Sequence, residues 1–241
     1  MSKLNLQQLD EGIDAALANA SSLIKEATLL LRSGFHARAY TLSHIAREEI
    51  AKVTMLYTCG LRMLVDHPVN WSKLHKRLRD HRSKLTSDAL VSFVNTAVNT
   101  PSGVEMLQLE MMLAGTTIRN EWKKESLYIA LKDNHFKTPS QVITPQKAER
   151  TIGLATVAFE DAKRYLLSGG KLTQREPEEA KKMFANINPD KLKPEDALAL
   201  IKELSMLIHS AAKSSGSTRF EGQQSEVVED CKHPDRTTLE P

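Results

Sequence analysis

Residues 34–56 contain two adjacent carboxylates within the apolar pattern of a predicted helix. No proline or glycine follows Gly34 in this stretch, and apolar residues recur at intervals of three and four, which is typical of a helix with one buried face. Glu48 and Glu49 precede Lys52 by four and three residues, so either carboxylate can pair with its ammonium group. The three residues form either a salt bridge at the edge of the buried stripe or a buried polar cluster that performs chemistry or fixes the packing.

Helical periodicity extends through most of the chain, and Ser33-Gly34 separates the first two long segments. Because this connection is so short, it predicts an antiparallel helical hairpin. Asn70 and Thr144-Pro145 are good helix starts, whereas the residues from Ser126 to Phe136 indicate a short extended piece and a turn. The predicted helices are residues 5–33, 34–65, 70–85, 104–125 and 145–168, with shorter helices at 177–186 and 194–213.

The predicted fold class is therefore all-α, an antiparallel helix bundle with a C-terminal helical extension. We expect a helical domain over residues 1–170, the extension over 171–213 and a disordered tail over 214–241, because the tail is polar and has no apolar period. The first helix is apolar over more than one narrow seam, which favours burial in a homodimer.

The composition excludes several classes of protein. Hydrophobic residues make up 41% of the chain and charged residues 26%, which is ordinary for a globular protein, and the net charge of +3 neither demands nor excludes a polyanionic partner. Cys59 and Cys231 form no CxxC pair, which argues against a disulfide framework. No apolar stretch is long enough for a membrane span, and no secretory signal is evident, so a cytoplasmic protein without membrane association is expected.

The third predicted helix has an apolar stripe with a histidine in it. His81 follows Leu74 and Leu78 at spacings of seven and three, so it is predicted to point toward the core. The opposite face is strongly basic, and it is either a solvated helix surface or a track for RNA phosphates. The residues that would bind RNA are Lys76, Arg79 and Lys84.

Three groups of residues resemble the AbiV family of abortive-infection proteins, in the HEPN superfamily. They are the pattern Arg38-Ala39-x-x-Leu42-x-x-x-Ala46-x-Glu48-Glu49-x-Ala51-Lys52, the pair His81-x-x-Lys84, and Arg119 followed by Leu127-Tyr128. The resemblance covers roughly residues 10–170. It implies a HEPN-like bundle, commonly a dimer, and an anti-phage role in which infected cells shut down before phage matures.

Many HEPN proteins are metal-independent ribonucleases with an Arg-x4-6-His motif, so the resemblance also suggests ribonuclease activity. A histidine would take the proton of the attacking 2′-hydroxyl, and an arginine would stabilise the developing charge. Here only Arg62–His67 and Arg38–His44 fit the spacing, and both lack the polar residue that usually follows the arginine. In a chain with this many arginines and histidines, two such matches do not indicate a ribonuclease site.

The candidate catalytic residues are His81, Glu48, Glu49, Lys52 and Arg119. His81 is either a core histidine satisfied by one carboxylate or a base whose tautomer that carboxylate fixes. Arg119 is either a solvated cation near a helix end or a stabiliser of charge. If buried polar groups need partners, His81 should lie close to Glu48 or Glu49.

No cofactor and no metal are expected. A two-metal bundle site needs Glu-x-x-His pairs, and neither Glu48 nor Glu49 is followed by histidine at that spacing. His44 and Glu48 are one turn apart, which is a weak basis for an ion site. The favoured function is interference with translation through RNA binding or cleavage, and the alternative is a non-catalytic module that binds a phage or host protein. A phage-encoded protein is the expected trigger.

Overall fold

The structure is a computed structural model that describes residues 2–89, 106–166, 170–178 and 181. Its architecture is all-α, with one small two-stranded sheet in the described part. In chain order, the helices and strands are α1 (Leu6–Arg32), α2 (His36–Leu64), α3 (Trp71–Arg79), α4 (residues 81–89), α5 (Met106–Glu125), β1 (Ala130–Lys132), β2 (His135–Lys137), α6 (Pro139–Val142) and α7 (Pro145–Asp161). A π-helical turn (Ala162–Leu166) continues α7, and a 3₁₀ turn follows (Leu172–Gln174).

Helices α1 and α2 form the predicted antiparallel hairpin and share the most extensive contact in the described fold. Asn5 begins α1 by accepting a hydrogen bond from the Gln8 amide at 2.8 Å. Gly34 ends the connection with a φ of 82°, a conformation that glycine adopts without a steric penalty. The sequence prediction for these two helices is confirmed.

The prediction of one continuous helix from Asn70 through Leu85 is wrong. Asp80 is extended, with φ −83° and ψ 117°, and it ends α3. Its side chain then accepts a hydrogen bond from the Ser83 amide at 2.8 Å, so Asp80 is the N-cap of α4. The N-cap preference of aspartate interrupts the apolar stripe and places His81 at the first position of a new helix.

The short extended piece predicted after α5 is confirmed as the antiparallel hairpin of β1 and β2. Asp133 and Asn134 form its turn with φ values of 52° and 61°, a conformation that Asp and Asn tolerate better than most residues. Thr144 is the N-cap of α7, as predicted, and its side chain accepts a hydrogen bond from the Lys147 amide at 3.3 Å. The short helix α6 was not predicted.

A turn beyond α7 packs into the core formed by α1, α2 and α3. Leu172 is buried in this core, where a methyl group added at Gly60 would lie 2.3 Å from its side chain. Asp10 of α1 accepts hydrogen bonds from the amides of Leu172 and Thr173 at 2.9 and 3.0 Å. The chain beyond residue 170 therefore makes specific contacts with the bundle.

Several predictions concern segments outside the described residues. These are the turn around residues 95–103, most of the helix end at residues 168–170, most of the extension and the whole tail. Within the described part, no helix combines the length and apolarity needed to cross a membrane.

Candidate functional site

Glu48 of α2 is the centre of a polar cluster between α2, α4 and α5. Its side chain is 2% exposed, and three nitrogen atoms from the two other helices lie close to its carboxylate. His81 Nδ1 lies 2.6 Å from Oε2, Lys84 Nζ lies 2.9 Å from Oε2, and Lys123 Nζ lies 2.6 Å from Oε1. The contact between His81 and a carboxylate of α2 that the sequence led us to expect is present.

The cluster keeps the Glu48 carboxylate ionised. Burial by itself raises the pKa of Glu48, but hydrogen bonds from Lys123, Lys84 and His81 outweigh burial and lower that pKa from 4.5 to about 2. An ionised carboxylate only accepts hydrogen bonds. His81 Nδ1 must therefore carry the hydrogen and donate a hydrogen bond to Glu48 Oε2.

This contact fixes the orientation and tautomer of a surface histidine. The His81 side chain is 59% exposed, although its Nδ1 is bonded to a buried group. Lys123 Nζ lies 3.1 Å from the same Nδ1, but two donors cannot bond to each other, so this proximity is electrostatic only. With Nδ1–H on Glu48, the neutral ring has its lone pair on Nε2.

A second buried ion pair adjoins the first. Arg47 Nε donates to Asp88 Oδ1 at 3.2 Å, and its Nη2 also contacts this carboxylate, so α2 and α4 are joined by a bidentate pair. Burial, and then the charge of Arg47, lower the pKa of Arg119 on α5, so the charge of this pair acts on Arg119 as well. Burial has the opposite effect on the neutral acid Tyr40 nearby and raises its pKa to about 12.

The excess of positive charge makes the cluster attractive to anions. Around the two buried carboxylates of Glu48 and Asp88 stand four cationic side chains on three helices. The four are Arg47, Lys84, Arg119 and Lys123. A site with more positive than negative charge attracts a phosphate or another anion.

A family model described as AbiV, of the HEPN group, matches residues 8–160. The chain belongs to the AbiV family. The match extends from α1 nearly to the end of α7 and includes every residue of the cluster, and it indicates an abortive-infection protein. No curated protein and no solved structure gives a significant match.

Two separate pieces of the AbiV resemblance meet in space. Arg38 Nη1 of α2 lies 3.4 Å from the carbonyl oxygen of Leu127, just after α5. Nearby, the Thr41 hydroxyl lies 2.7 Å from that of the fully buried Ser126. These contacts hold the end of α5 against α2 and thereby position Lys123 beside Glu48.

Two of the predicted orientations are wrong in this AbiV protein. His81 was expected to point into the core but is exposed, because α4 starts a new helical direction at Asp80. Lys84 was expected on an outer RNA-binding face, yet its side chain is 7% exposed and paired with Glu48. Lys84 follows His81 by three residues, so both side chains lie on the face of α4 that meets Glu48. Lys76 and Arg79 are exposed, as expected.

Glu49 and Lys52 do not join this cluster. Lys52 Nζ lies 2.6 Å from Glu49 Oε1, and both side chains retain some exposure. The pair lines a 430 Å³ cavity with residues of α1 and with Leu78, and the lining includes neither Glu48 nor His81. Of the two adjacent carboxylates, one is thus in the buried polar cluster and the other is in a local salt bridge.

The two Arg-x4-6-His matches do not build a comparable site. His44 is 1% exposed, whereas Arg38 is on the surface and bonded to Leu127. Arg62 and His67 lie at the end of α2 and in the loop after it, and neither lines the Glu48 cluster. Among the described residues, no three His, Cys, Asp or Glu side chains are grouped as metal ligands.

Three participants were not selected from the sequence: Lys123, Asp88 and Arg47. Lys123 follows Arg119 by four residues, so helical spacing was the available signal. No comparable signal marks Asp88 as the partner of Arg47, since 41 residues separate them. His44 Nε2 lies 3.6 Å from Glu48 Oε1, one helical turn away.

Buried His44 predicts a loss of stability on mild acidification. Burial lowers the pKa of His44 from 6.5 to about 3, so the unfolded chain takes up this proton well before the folded protein does. Stability should therefore fall from about pH 6.5 toward pH 3, by at most about 1.4 kcal/mol for each pH unit. Glu48, with its lowered pKa, adds a further decline between pH 4.5 and about 2.

The measurement is urea unfolding at several pH values with His44→Asn and, as control, exposed His135→Asn. The first variant should flatten the decline between pH 6.5 and 4.5, and the second should keep the slope of the unchanged protein. An unchanged slope in His44→Asn would assign the acid sensitivity to other groups.

Proposed function

We propose that this AbiV-family protein is an anti-phage effector that acts on RNA in the cytoplasm and thereby interferes with translation. The observation that carries the proposal is the exposed His81 ring, oriented through Nδ1 by a buried, ionised Glu48. A base oriented in this way resembles the positioned histidine that abstraction of a ribose 2′-hydroxyl proton requires.

In the catalytic form of the proposal, His81 Nε2 accepts the proton of the 2′-hydroxyl as its oxygen attacks the adjacent phosphorus. Lys123 is paired with Glu48 and does not bind the phosphate directly, but together with Arg119 on the same face of α5 it adds a positive potential where charge develops on the phosphate oxygens. Glu48 stabilises the imidazolium that forms. Bond cleavage releases the 5′-oxygen, which needs a proton from solvent or the imidazolium.

RNA binding requires exposed cations near this histidine. Lys76 and Arg79 on α3 are exposed and precede His81 by five and two residues. They are suited to contact phosphates, whereas Lys84 is removed from this role by its pairing with Glu48. The proposed RNA surface is thus the exposed side of the junction between α3 and α4.

Reversal of two of these charges tests the RNA proposal. Lys76→Glu with Arg79→Glu should weaken binding of a single-stranded RNA at least tenfold and reduce the salt slope by about 1.4 units, because about two phosphates are no longer neutralised. Fluorescence anisotropy over a salt series gives both quantities. Lys147→Glu is the control, because this lysine lies over Trp122 on another part of the bundle. Equal affinity and slope in all three proteins would contradict the proposed surface.

A second candidate is a non-catalytic module that binds a phage or host protein. The observation that favours it is the β1–β2 hairpin, whose large apolar side chains are solvent-exposed, up to 79% for Phe136. Such a patch commonly marks a protein contact. An exposed apolar surface of this kind could be buried in a homodimer or against a phage-encoded protein trigger, and we propose both. Light scattering that shows a monomer would count against the homodimer.

A further inference from the structure

A second cavity lies between α2, α3 and α4, away from the Glu48 cluster. Its volume is about 550 Å³, which falls within the usual range for small-molecule sites. Its lining contains three cationic side chains and no carboxylate among the described residues. The three cations are Arg62, Lys73 and Arg77. Neither Glu48, His81 nor Lys123 contributes to its wall, so this cavity is not part of the site proposed to act on RNA.

The cationic side of the cavity is held in place by the protein. Arg77 Nη2 donates a hydrogen bond to the hydroxyl of Ser87 at 3.0 Å, and Ser87 is buried. Among the described residues, neither Arg77 nor Lys73 forms an ion pair. A half-buried guanidinium whose partner is a neutral hydroxyl keeps its full positive charge available to a ligand.

The floor of the same cavity is apolar. Met55, Cys59 and Leu74 are buried and line it. Burial raises the pKa of the Cys59 thiol to about 11, so this side chain is a neutral, apolar wall rather than a nucleophile. The rim is exposed and carries Lys73. A ligand that fills the cavity therefore needs an apolar or aromatic body and an anionic end.

We propose that this cavity binds a phosphate ester of mononucleotide size. Its phosphate contacts Lys73 and Arg77, and its base and sugar pack on the apolar floor formed by Met55, Cys59 and Leu74. Arg77 supplies a planar pair of donors that matches two phosphate oxygens, and Lys73 adds a point charge at the rim. A longer RNA strand fits this shape less well, because the buried floor would accommodate one nucleotide body and not a continuous backbone.

The test is calorimetric titration of the full chain with AMP, adenosine, inorganic phosphate and a single-stranded RNA. AMP should bind, and adenosine and inorganic phosphate should each bind at least about tenfold more weakly, since each lacks one half of the recognised group. Lys73→Ala and Arg77→Ala should each weaken AMP binding by about tenfold or more. Lys25→Ala is the control, because this exposed lysine lies on α1, outside the cavity lining, and it should retain the affinity of the unchanged protein.

Several results would overturn the proposal. They are the absence of AMP binding at millimolar concentration, equal affinity for AMP in Lys73→Ala, and inorganic phosphate binding as tightly as AMP. RNA that displaces AMP and loses affinity in Lys73→Ala would assign the cavity to RNA instead. Because Lys73 is exposed, its substitution should not impair folding, so this variant decides the matter even where Arg77→Ala is unstable.

Discussion

Replacing Glu48 by glutamine is expected to lower the free energy of unfolding by about 3–5 kcal/mol, because it removes the single negative charge between two buried lysines. Lys84 and Lys123 are 7% and 12% exposed and both lie within 2.9 Å of this carboxylate. The neutral amide leaves their mutual repulsion uncompensated, and its NH₂ group points a donor at other donors. Chemical denaturation followed by circular dichroism measures the loss.

Two further variants separate the charge effect from a general loss of packing. Glu49→Gln removes the neighbouring carboxylate from a partly exposed pair with Lys52 and should cost about 1 kcal/mol or less. Adding Lys123→Met to Glu48→Gln should restore part of the lost stability, with a coupling of about 0.5–3 kcal/mol. A Glu48→Gln protein as stable as Glu49→Gln would show that Glu48 does not hold these helices together electrostatically.

In the catalytic form of the proposed function, His81→Ala should lower the rate of RNA cleavage by a factor of about 10²–10⁴ and leave RNA affinity largely intact, because a proton acceptor acts only on the way to the transition state. Its folding should be affected less than that of Glu48→Gln. Both lysines still pair with Glu48, and the lost hydrogen bond costs on the order of 1–3 kcal/mol. Single-turnover cleavage of a labelled RNA is the measurement.

His135→Ala is the matched control, since this histidine is exposed on the β1–β2 hairpin and contacts none of the cluster. It should cleave at the rate of the unchanged protein. Phage-growth assays extend the comparison to cells. A folded His81→Ala protein with full anti-phage activity would remove His81 from the mechanism and favour the protein-binding module.

If the unchanged protein binds RNA without cleaving it, the same variants still discriminate. His81→Ala would then retain both RNA binding and anti-phage activity, whereas Lys76→Glu with Arg79→Glu would lose both. In the protein-binding alternative, His81→Ala would reduce anti-phage activity only as far as it reduces the amount of folded protein.

Local sequence determined where most helices begin and end. Gly34, Asn70 and Thr144 act through hydrogen bonds or backbone conformations that involve only a few neighbouring residues, so their effects could be read directly. The contact between His81 and a carboxylate of α2 was predicted, but the premise that His81 is buried was wrong, because the buried group that needs partners is Glu48. The break at Asp80 was missed because its N-cap signal competed with an uninterrupted apolar pattern.

Tertiary structure decided which residue became the partner of which. Lys84 and Lys123 are long, flexible side chains that reach solvent or a buried carboxylate according to how α4 and α5 pack on α2. Glu48 and Glu49 are chemically identical neighbours, yet the 100° turn between successive helical residues sends one into the interface and the other to Lys52. The sequence alone thus located the polar cluster on α2, and the packing of distant helices fixed its members and their charge.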